Sequence, residues 1–550
     1  MIRSRQAAEA VFRYRRSGAI VAGALTACGF QPLALWPLAL LGLAWLAEAA
    51  ARSRSIGSAF AVGWFFGLGH FTIGNNWIAT AFTYQAEMPQ WLGSIAVILL
   101  SLYLAIFPAL ATAAAWAFVR YLRARRGSDD ERTEPAALPY FGLVFAACWI
   151  VTEWTRAWLF TGFAWNPLAV MLVGPYDSQG LALLAPWLGT YALSGLVVGL
   201  ACLLRRAMHF LIGGSARERL AAGLSLAVAA GALGTVMLAP AAYLAPREGA
   251  IRFTLIQPDL RQETLDDPRN FERHFIKMAR LTVQKDRADR RVVFWPESGL
   301  ADYLRDGYPP FLYRLMTYDA DPVAARERIG RVIGPYSLLL TGAVDIVIKD
   351  GEDIAARNSV TAIDWRGSIL AGYSKAHLVP FGEYLPLRYL LEPLGLTRLV
   401  AGTLDFWPGP GPRTYNFGAW GKAGIQICYE IVFSGEVVDP ASRPDYIFNP
   451  SNDGWFGAWG PPQHLAQARL RAIEEGLPIL RSTTTGISAV IDADGIVRGY
   501  IPRHTANRID GKIPPAHPPT PFARFGNLIP LLIAAALLLG CAVALRRATR

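Results

Sequence analysis

The chain has 550 residues, of which 53% are hydrophobic and only 17% charged. With a mean hydropathy of +0.28, it is too apolar for an ordinary soluble enzyme and must be expected to cross a membrane. The net charge of +11 does not indicate nucleic acid: residues 247–524 hold 33 basic and 32 acidic side chains, and the excess, 20 against 10, lies in the apolar remainder, whereas a nucleic-acid binder gathers its basic residues on a folded face.

A bilayer span needs roughly 20 apolar residues. In chain order, such runs are expected at 60–79, 92–119, 181–204, 220–244 and 528–545. Three less regular runs, 19–30, 33–50 and 140–154, bring the expected count to about eight. Arg13, Arg15 and Arg16 before the first run resemble the start of a signal peptide, but a second run follows at once without a cleavage site, so a retained anchor is expected. Basic residues flanking spans concentrate on the cytoplasmic side. Of the 20 outside 247–524, 19 fall on one side under this count and only Arg156 on the other. Both termini are therefore expected in the cytoplasm. The expected domains are a membrane domain at 1–245, an extracytoplasmic domain at 246–525, and a final anchor with a cytoplasmic tail at 526–550.

Within 246–525, short β-rich runs alternate with helical stretches. Strands are expected at 252–257, 291–295, 337–344, 359–364, 368–373, 424–428, 446–449, 479–482 and 488–492, and helices at 270–286 and 463–475. Ala493-Asp494-Gly495 reads as a hairpin turn. Such a mixture suits a layered α/β sandwich.

Cys428 is the only cysteine in this polar stretch; Cys28, Cys148, Cys202 and Cys541 all lie in apolar runs. An unpaired cysteine in an oxidising compartment needs a reason. Three expected strands end on chemically capable residues: Val-Val-Phe-Trp-Pro on Glu297, Leu-Ala-Gly-Tyr-Ser on Lys375, and Gly-Ile-Gln-Ile on Cys428. On one sheet edge they would form a working set. A thiol near pKa ~8.5 is mostly protonated at neutrality; Glu297 can take its proton, and Lys375 can stabilise both a thiolate and the oxyanion of a tetrahedral intermediate. Each alone has a plainer reading: a buried small hydrophobe for Cys428, a capping acid for Glu297 and a surface charge for Lys375. His377 reads as a loop or packing residue. The histidines and cysteines show no metal-ligand spacing and no phosphate-cradling glycine loop is present, so neither metal nor cofactor is expected.

The blocks Trp295-Pro296-Glu297-Ser298, Tyr373-Ser374-Lys375 continuing through Leu378-Val379-Pro380-Phe381-Gly382-Glu383-Tyr384, Cys428-Tyr429-Glu430, and Asn449-Pro450-Ser451-Asn452-Asp453-Gly454-Trp455-Phe456 resemble the signatures of the bacterial apolipoprotein N-acyltransferase family, the membrane branch of the nitrilase superfamily. Gln467-Ala468-Arg469, Ala472-Ile473-Glu474, Arg481, Thr485-Gly486-Ile487-Ser488, Gly162-Phe163-Ala164-Trp165-Asn166 and the eight-span layout fit the same family. The resemblance implies an α-helical multi-span membrane domain of about eight spans plus an extracytoplasmic nitrilase-like α-β-β-α sandwich.

In that family Glu297 would be the general base, Lys375 would polarise the intermediate and Cys428 would be acylated; Glu383 would orient the lysine, and Tyr429 and Glu430 would support activity. The implied reaction moves an acyl chain from the sn-1 position of a phospholipid through a cysteine thioester to the α-amino group of a lipoprotein's diacylglyceryl-cysteine. The implied setting is a multi-pass protein of the bacterial inner membrane with a periplasmic catalytic domain, acting as a monomer. Two features depart from the family: Asp259-Leu260-Arg261 stands where Asn-Ile-Pro and a following tryptophan are common, and Ala164 replaces a common proline. A membrane-tethered amidase and a non-catalytic transport or scaffold protein are the alternatives. Residues 385–407 and 455–459, rich in Leu, Phe and Trp, are expected as lids at headgroup level or as ordinary packing. His70, Asn75 and Asn76 are expected to form a polar seam within the third span.

Overall fold

The computed structural model describes residues 14–84, 89–124, 140–241, 245–284, 290–350, 352–391, 393 and 405–547. The chain divides into two compact units: Met1–Ala79, Trp91–Ala241 and Pro521–Arg550 form the first, and Thr80–Gln90 and Ala242–Thr520 the second.

The first unit is helical. Among the described residues, its helices of more than eight residues are α1 (Arg15–Ala27), α2 (Trp36–Ala51), α3 (Ile56–Gly74), α4 (Trp91–Leu104), α5 (Ile106–Ala124), α6 (Phe141–Trp158), α7 (Ala185–Gly213) and α8 (Ala216–Leu238), and the C-terminal helix Leu528–Arg547. Among the described residues, four segments are long and apolar enough to cross a membrane: Ile56–Gly74, Trp91–Leu122, Gly180–Gly213 and Ala216–Leu238; Trp36–Ala51 and Leu528–Ala544 are shorter apolar helices. Side-chain oxygens satisfy the orphan amides at two helix starts, where Ser55 accepts from Ser58 N and Ser215 and Glu218 form a capping box.

Helices α1 and α3 pack through small residues. A Cβ on Gly23 would fall 2.0 Å from the Phe66 carbonyl oxygen and one on Gly69 2.1 Å from that of Ile20, so only glycine permits the approach that gives apolar helices their packing energy. At the ends of α2 and α7, Glu48 receives Arg205 and His209, each at 2.9 Å, and Arg52 at 2.5 Å. Of the polar residues expected inside the third span, only His70 lies in α3, buried against Phe66; Asn75 is the C-cap and Asn76 follows it. His70 and Asn75 are both buried while Asn76 is exposed, so two of the three expected seam residues lie inside the protein.

The second unit is built on two six-stranded sheets. The strands are β1 (Arg252–Gln257), β2 (Arg291–Phe294), β3 (Ser337–Lys349), β4 (Glu352–Asp364), β5 (Ile369–Ser374), β6 (Thr414–Asn416), β7 (Lys422–Ile425), β8 (Tyr446–Ser451), β9 (Ile479–Thr483), β10 (Ser488–Ile491), β11 (Val497–Ile501) and β12 (Asn507–Lys512). The sheet orders are β12-β1-β2-β3-β4-β5 and β11-β10-β9-β8-β7-β6. In each, three central strands run parallel: β1, β2 and β3 in the first, β7, β8 and β9 in the second.

Side chains alternate across a strand, and β2 shows the result. Phe294 faces the other sheet, its ring 4.9 Å from that of Phe448. Val293 faces outward into a core with Ile256, Leu339 and Ile363, closed by Phe275 and Met278 of α9 (Phe271–Thr282) and by Ile329 and Ile333 of α10 (Pro322–Ile333). On the second sheet, α11 (Gly460–Glu475) packs against β9 and ends on Gly476 in the left-handed conformation. The four-layer arrangement is the α-β-β-α sandwich.

The structure adds β6, β11 and β12, which are short or polar. β12 is an edge strand paired antiparallel to β1 from Arg252↔Lys512 to Gln257↔Asn507, so its outer residues never show an apolar run. β3 and β4 also extend beyond the expected ranges as one long hairpin, paired out to Lys349↔Glu352.

Candidate active site

Glu297, Lys375 and Cys428 each sit within three residues of a strand end. Glu297 follows β2, where Gly342 of β3 lets the backbone come close: a Cβ there would lie 2.6 Å from the Glu297 Cα. Lys375 follows β5 and is pinned from both sides, its N–H donating to Asn358 O at 2.8 Å and its carbonyl accepting from Gly409 N at 2.7 Å. Cys428 opens a 3₁₀ turn (Cys428–Val432) after β7, with φ at +51°. That left-handed backbone costs a non-glycine residue about 1–2 kcal/mol, and it presents the residue at a sharp elbow.

The side chains converge. Lys375 Nζ donates to Glu383 at 3.0 Å and lies 3.7 Å from Glu297. It is 1% exposed. Burial works against its charge, but the carboxylates of Glu383 and Glu297 outweigh that and raise its pKa above the ordinary lysine range, so the amine is a fixed cation. Cys428 is close enough to feel both Lys375 and Glu297. Burial, helped by the negative charge of Glu297, pushes its thiol well above the ordinary range, and Lys375 offsets this only in part. The sequence suggests a thiolate steadied by lysine; the resting group is the thiol, because desolvation outweighs the nearby cations Lys375 and Arg481.

The supporting residues are also in place. Glu383 accepts from Val379 N at 2.7 Å as well as from Lys375. Glu430 accepts from Ile427 N, Ala376 N and the Tyr373 hydroxyl, each at 2.7 Å. It therefore caps the turn that carries Cys428 and also ties that turn to the strand end that carries Lys375. Burial raises its pKa to about 7. Tyr429 is buried, edge-on to Phe433 at 5.1 Å. His377 is a packing residue, stacked on Phe433 at 4.1 Å.

Asn358 on β4 escapes a reading of the sequence. Its Nδ2 donates to Glu297 at 2.6 Å and to Glu383 at 2.8 Å, holding two like charges against one lysine. Its signal was an amide side chain among the buried residues of β4, next to the expected strand start at 359. Asn452 N supplies Glu297 with a further donor at 2.7 Å. Trp455, in the tryptophan-rich run 455–459, packs edge-on to Tyr84 at 5.7 Å. Of the other expected lid, 385–407, residues 392 and 394–404 lie outside the described residues.

Buried acid, amine and thiol at a backbone elbow are a device for nucleophilic acyl transfer. The family model for the apolipoprotein N-acyltransferase N-terminal domain matches residues 22–203, and that for carbon-nitrogen hydrolase matches residues 254–516. Apolipoprotein N-acyltransferase of Bradyrhizobium diazoefficiens is 35% identical over 97% of this chain and 95% of its own length. The chain belongs to the apolipoprotein N-acyltransferase family. The protein of the same name from Rhodopseudomonas palustris is 33% identical over 93% of this chain and 91% of its own. Among solved structures, an amidase from Nesterenkonia sp. aligns with 49% of this chain and 93% of its own at 19% identity and a TM-score of 0.32; the family assignment rests on the relatives. The matched hydrolase region contains every residue of the site described above.

Proposed function

We propose that this chain transfers an acyl chain from a phospholipid to the α-amino group of a lipoprotein's N-terminal diacylglyceryl-cysteine, through a thioester on Cys428. The observation that carries the reading is the buried cation of Lys375, held between Glu297 and Glu383 and felt by the Cys428 thiol, in a member of this family.

The electrostatics support the following order of steps. Because the thiol rests protonated, it is activated only at the moment of attack, when Glu297 takes its proton as the sulfur adds to the sn-1 ester carbonyl. Lys375 faces the oxyanion that forms, in a site where buried charge acts strongly. Collapse breaks the ester C–O bond, Glu297 returns the proton to the departing lysophospholipid hydroxyl, and the acyl group remains on sulfur. In the second half, the acceptor amine attacks the thioester, Glu297 takes a proton from the nitrogen, and the sulfur leaves and is reprotonated. Amide and free thiol result, and no further reactant is needed.

The chain crosses the inner membrane about eight times in this reading, with both termini cytoplasmic, the catalytic domain of 246–525 in the periplasm, the anchor of 526–550 behind it and a single copy acting alone. Support for the orientation comes from Glu48, on which Arg52 and Arg205 meet: two span ends that the charge count puts on the cytoplasmic side share one ion cluster.

The test is to incubate the purified protein with a phospholipid and look for a hydroxylamine-sensitive mass increase on the Cys428 peptide, absent in Cys428→Ala. Adding an amine acceptor should release the acyl group as amide. Release to water at the same rate without acceptor would instead mean an amidase.

A further inference from the structure

Behind the elbow lies a buried polar cluster to which the reaction above gives no task. Asp453, His464 and Arg481 are each 2% exposed or less. Arg481 donates to both Asp453 oxygens at 2.8 Å, to Ser451 Oγ at 2.9 Å and to Asn449 Oδ1. His464 Nδ1 stands 3.1 Å from Asp453 Oδ1 and 3.0 Å from Arg481. Its other nitrogen, Nε2, is 3.0 Å from the carbonyl oxygen of Cys428.

A carbonyl only accepts, so Nε2 carries a proton whichever charge state Nδ1 adopts between its two neighbours. The same carbonyl has a second donor, Asn449 Nδ2, at the 3.5 Å limit of a hydrogen bond. His464 therefore makes the shorter of these two side-chain contacts to the oxygen of the peptide that joins Cys428 to Tyr429, at the start of the 3₁₀ turn. A trans peptide is planar, with its C=O and N–H pointing in opposite directions. Holding the carbonyl of Cys428 thus sets the direction of the Tyr429 N–H, next to the thiol, and keeps the residue in its left-handed conformation.

We propose that His464, locked by Asp453 and Arg481, is a positioning residue that fixes the Cys428–Tyr429 peptide so that the Tyr429 N–H joins Lys375 in holding the acyl oxyanion. The proposal rests on the reading of Cys428 as the acylated nucleophile. It separates two properties of the thiol: acylation passes through an oxyanion and needs the oriented peptide, whereas alkylation by iodoacetamide displaces iodide at carbon, forms no oxyanion and needs only the sulfur.

The test compares two side chains that divide the histidine. Asparagine places its amide where Nδ1 stands and keeps contact with Asp453 and Arg481, but falls short of the Cys428 carbonyl; glutamine reaches it with an N–H. The full-length protein in detergent is acylated with phospholipid and, separately, with a p-nitrophenyl ester, with thioester followed by intact mass and alkylation measured in parallel. His464→Asn should lower acylation by both donors on the order of 10²-fold, the usual effect of losing one oxyanion donor, with the iodoacetamide rate within about twofold of wild type; His464→Gln should recover most of the acylation rate. Acylation of His464→Asn at the wild-type rate, equal losses in both variants, or a parallel loss of alkylation would overturn the proposal. If His464→Asn does not fold, a folded His464→Gln that acylates no faster than Cys428→Ala does so too. A wild-type protein that takes no acyl group on Cys428 from either donor would remove the underlying reading instead.

Discussion

Glu430, two residues beyond Cys428, accepts a 2.7 Å hydrogen bond from the hydroxyl of Tyr373, two residues before Lys375. β5 and β7 belong to different sheets, so this contact sets the distance between the nucleophile and its cation. The same carboxylate takes the amides of Ile427 and Ala376. Burial raises its pKa from 4.5 to about 7. A folded state that binds this proton more tightly gains stability below pH 4.5 and loses it as pH rises through 7. The loss is about 3 kcal/mol at most. Melting temperatures of wild type and Glu430→Gln in detergent should therefore move apart, with the variant gaining relative to wild type from pH 4.5 to 8. A difference independent of pH would show that Glu430 does not titrate in this window.

Lys375 is the counter-charge for two buried carboxylates. Lys375→Met should abolish thioester formation and lower stability by about 3–5 kcal/mol, the usual cost of stranding a buried charge. Adding Glu383→Gln to that variant should restore much of the stability and none of the activity. Restored activity would mean that the lysine serves only to neutralise Glu383.

Asn358 donates from one amide to both Glu297 and Glu383. Asn358→Asp puts a third carboxylate beside them, and like charges raise one another's pKa. Acyl transfer should fall by at least about tenfold; an unchanged rate would remove Asn358 from the support of the base. Asn358→Leu, which leaves both carboxylates short of a donor, should cost about 1–3 kcal/mol in stability.

The Cys428 thiol is held protonated by burial and by Glu297. Its alkylation rate should keep rising with pH beyond ~9, where an exposed thiol has levelled off. Glu297→Gln removes the negative neighbour, so the alkylation profile should shift to lower pH while acyl transfer is lost. A shift to higher pH would contradict the electrostatic assignment.

Much of the second unit is legible from local pattern. The expected strands at 252–257, 446–449 and 479–482 have counterparts in β1, β8 and β9, because alternating or fully apolar β-branched runs leave few other options. The polar edge strand β12 carries no such signal, since it earns its place only by hydrogen bonding to β1. His464 reads in the sequence as one more residue of the helix expected at 463–475, and nothing local reports that its Nε2 meets a carbonyl 36 residues away.

Composition, charge balance and motif spacing determined by themselves that this is a membrane protein with one polar domain, that a single cysteine stands apart in it, and which family it resembles, because these properties are written in residue type and order. Tertiary structure alone decided which groups share a proton and a charge. Asn358 reaches Glu297 across 61 residues and Asn452 reaches it across 155, and sheet register places them there. Whether the thiol rests protonated followed from burial, which depends on every layer packed around it and on no short stretch of chain.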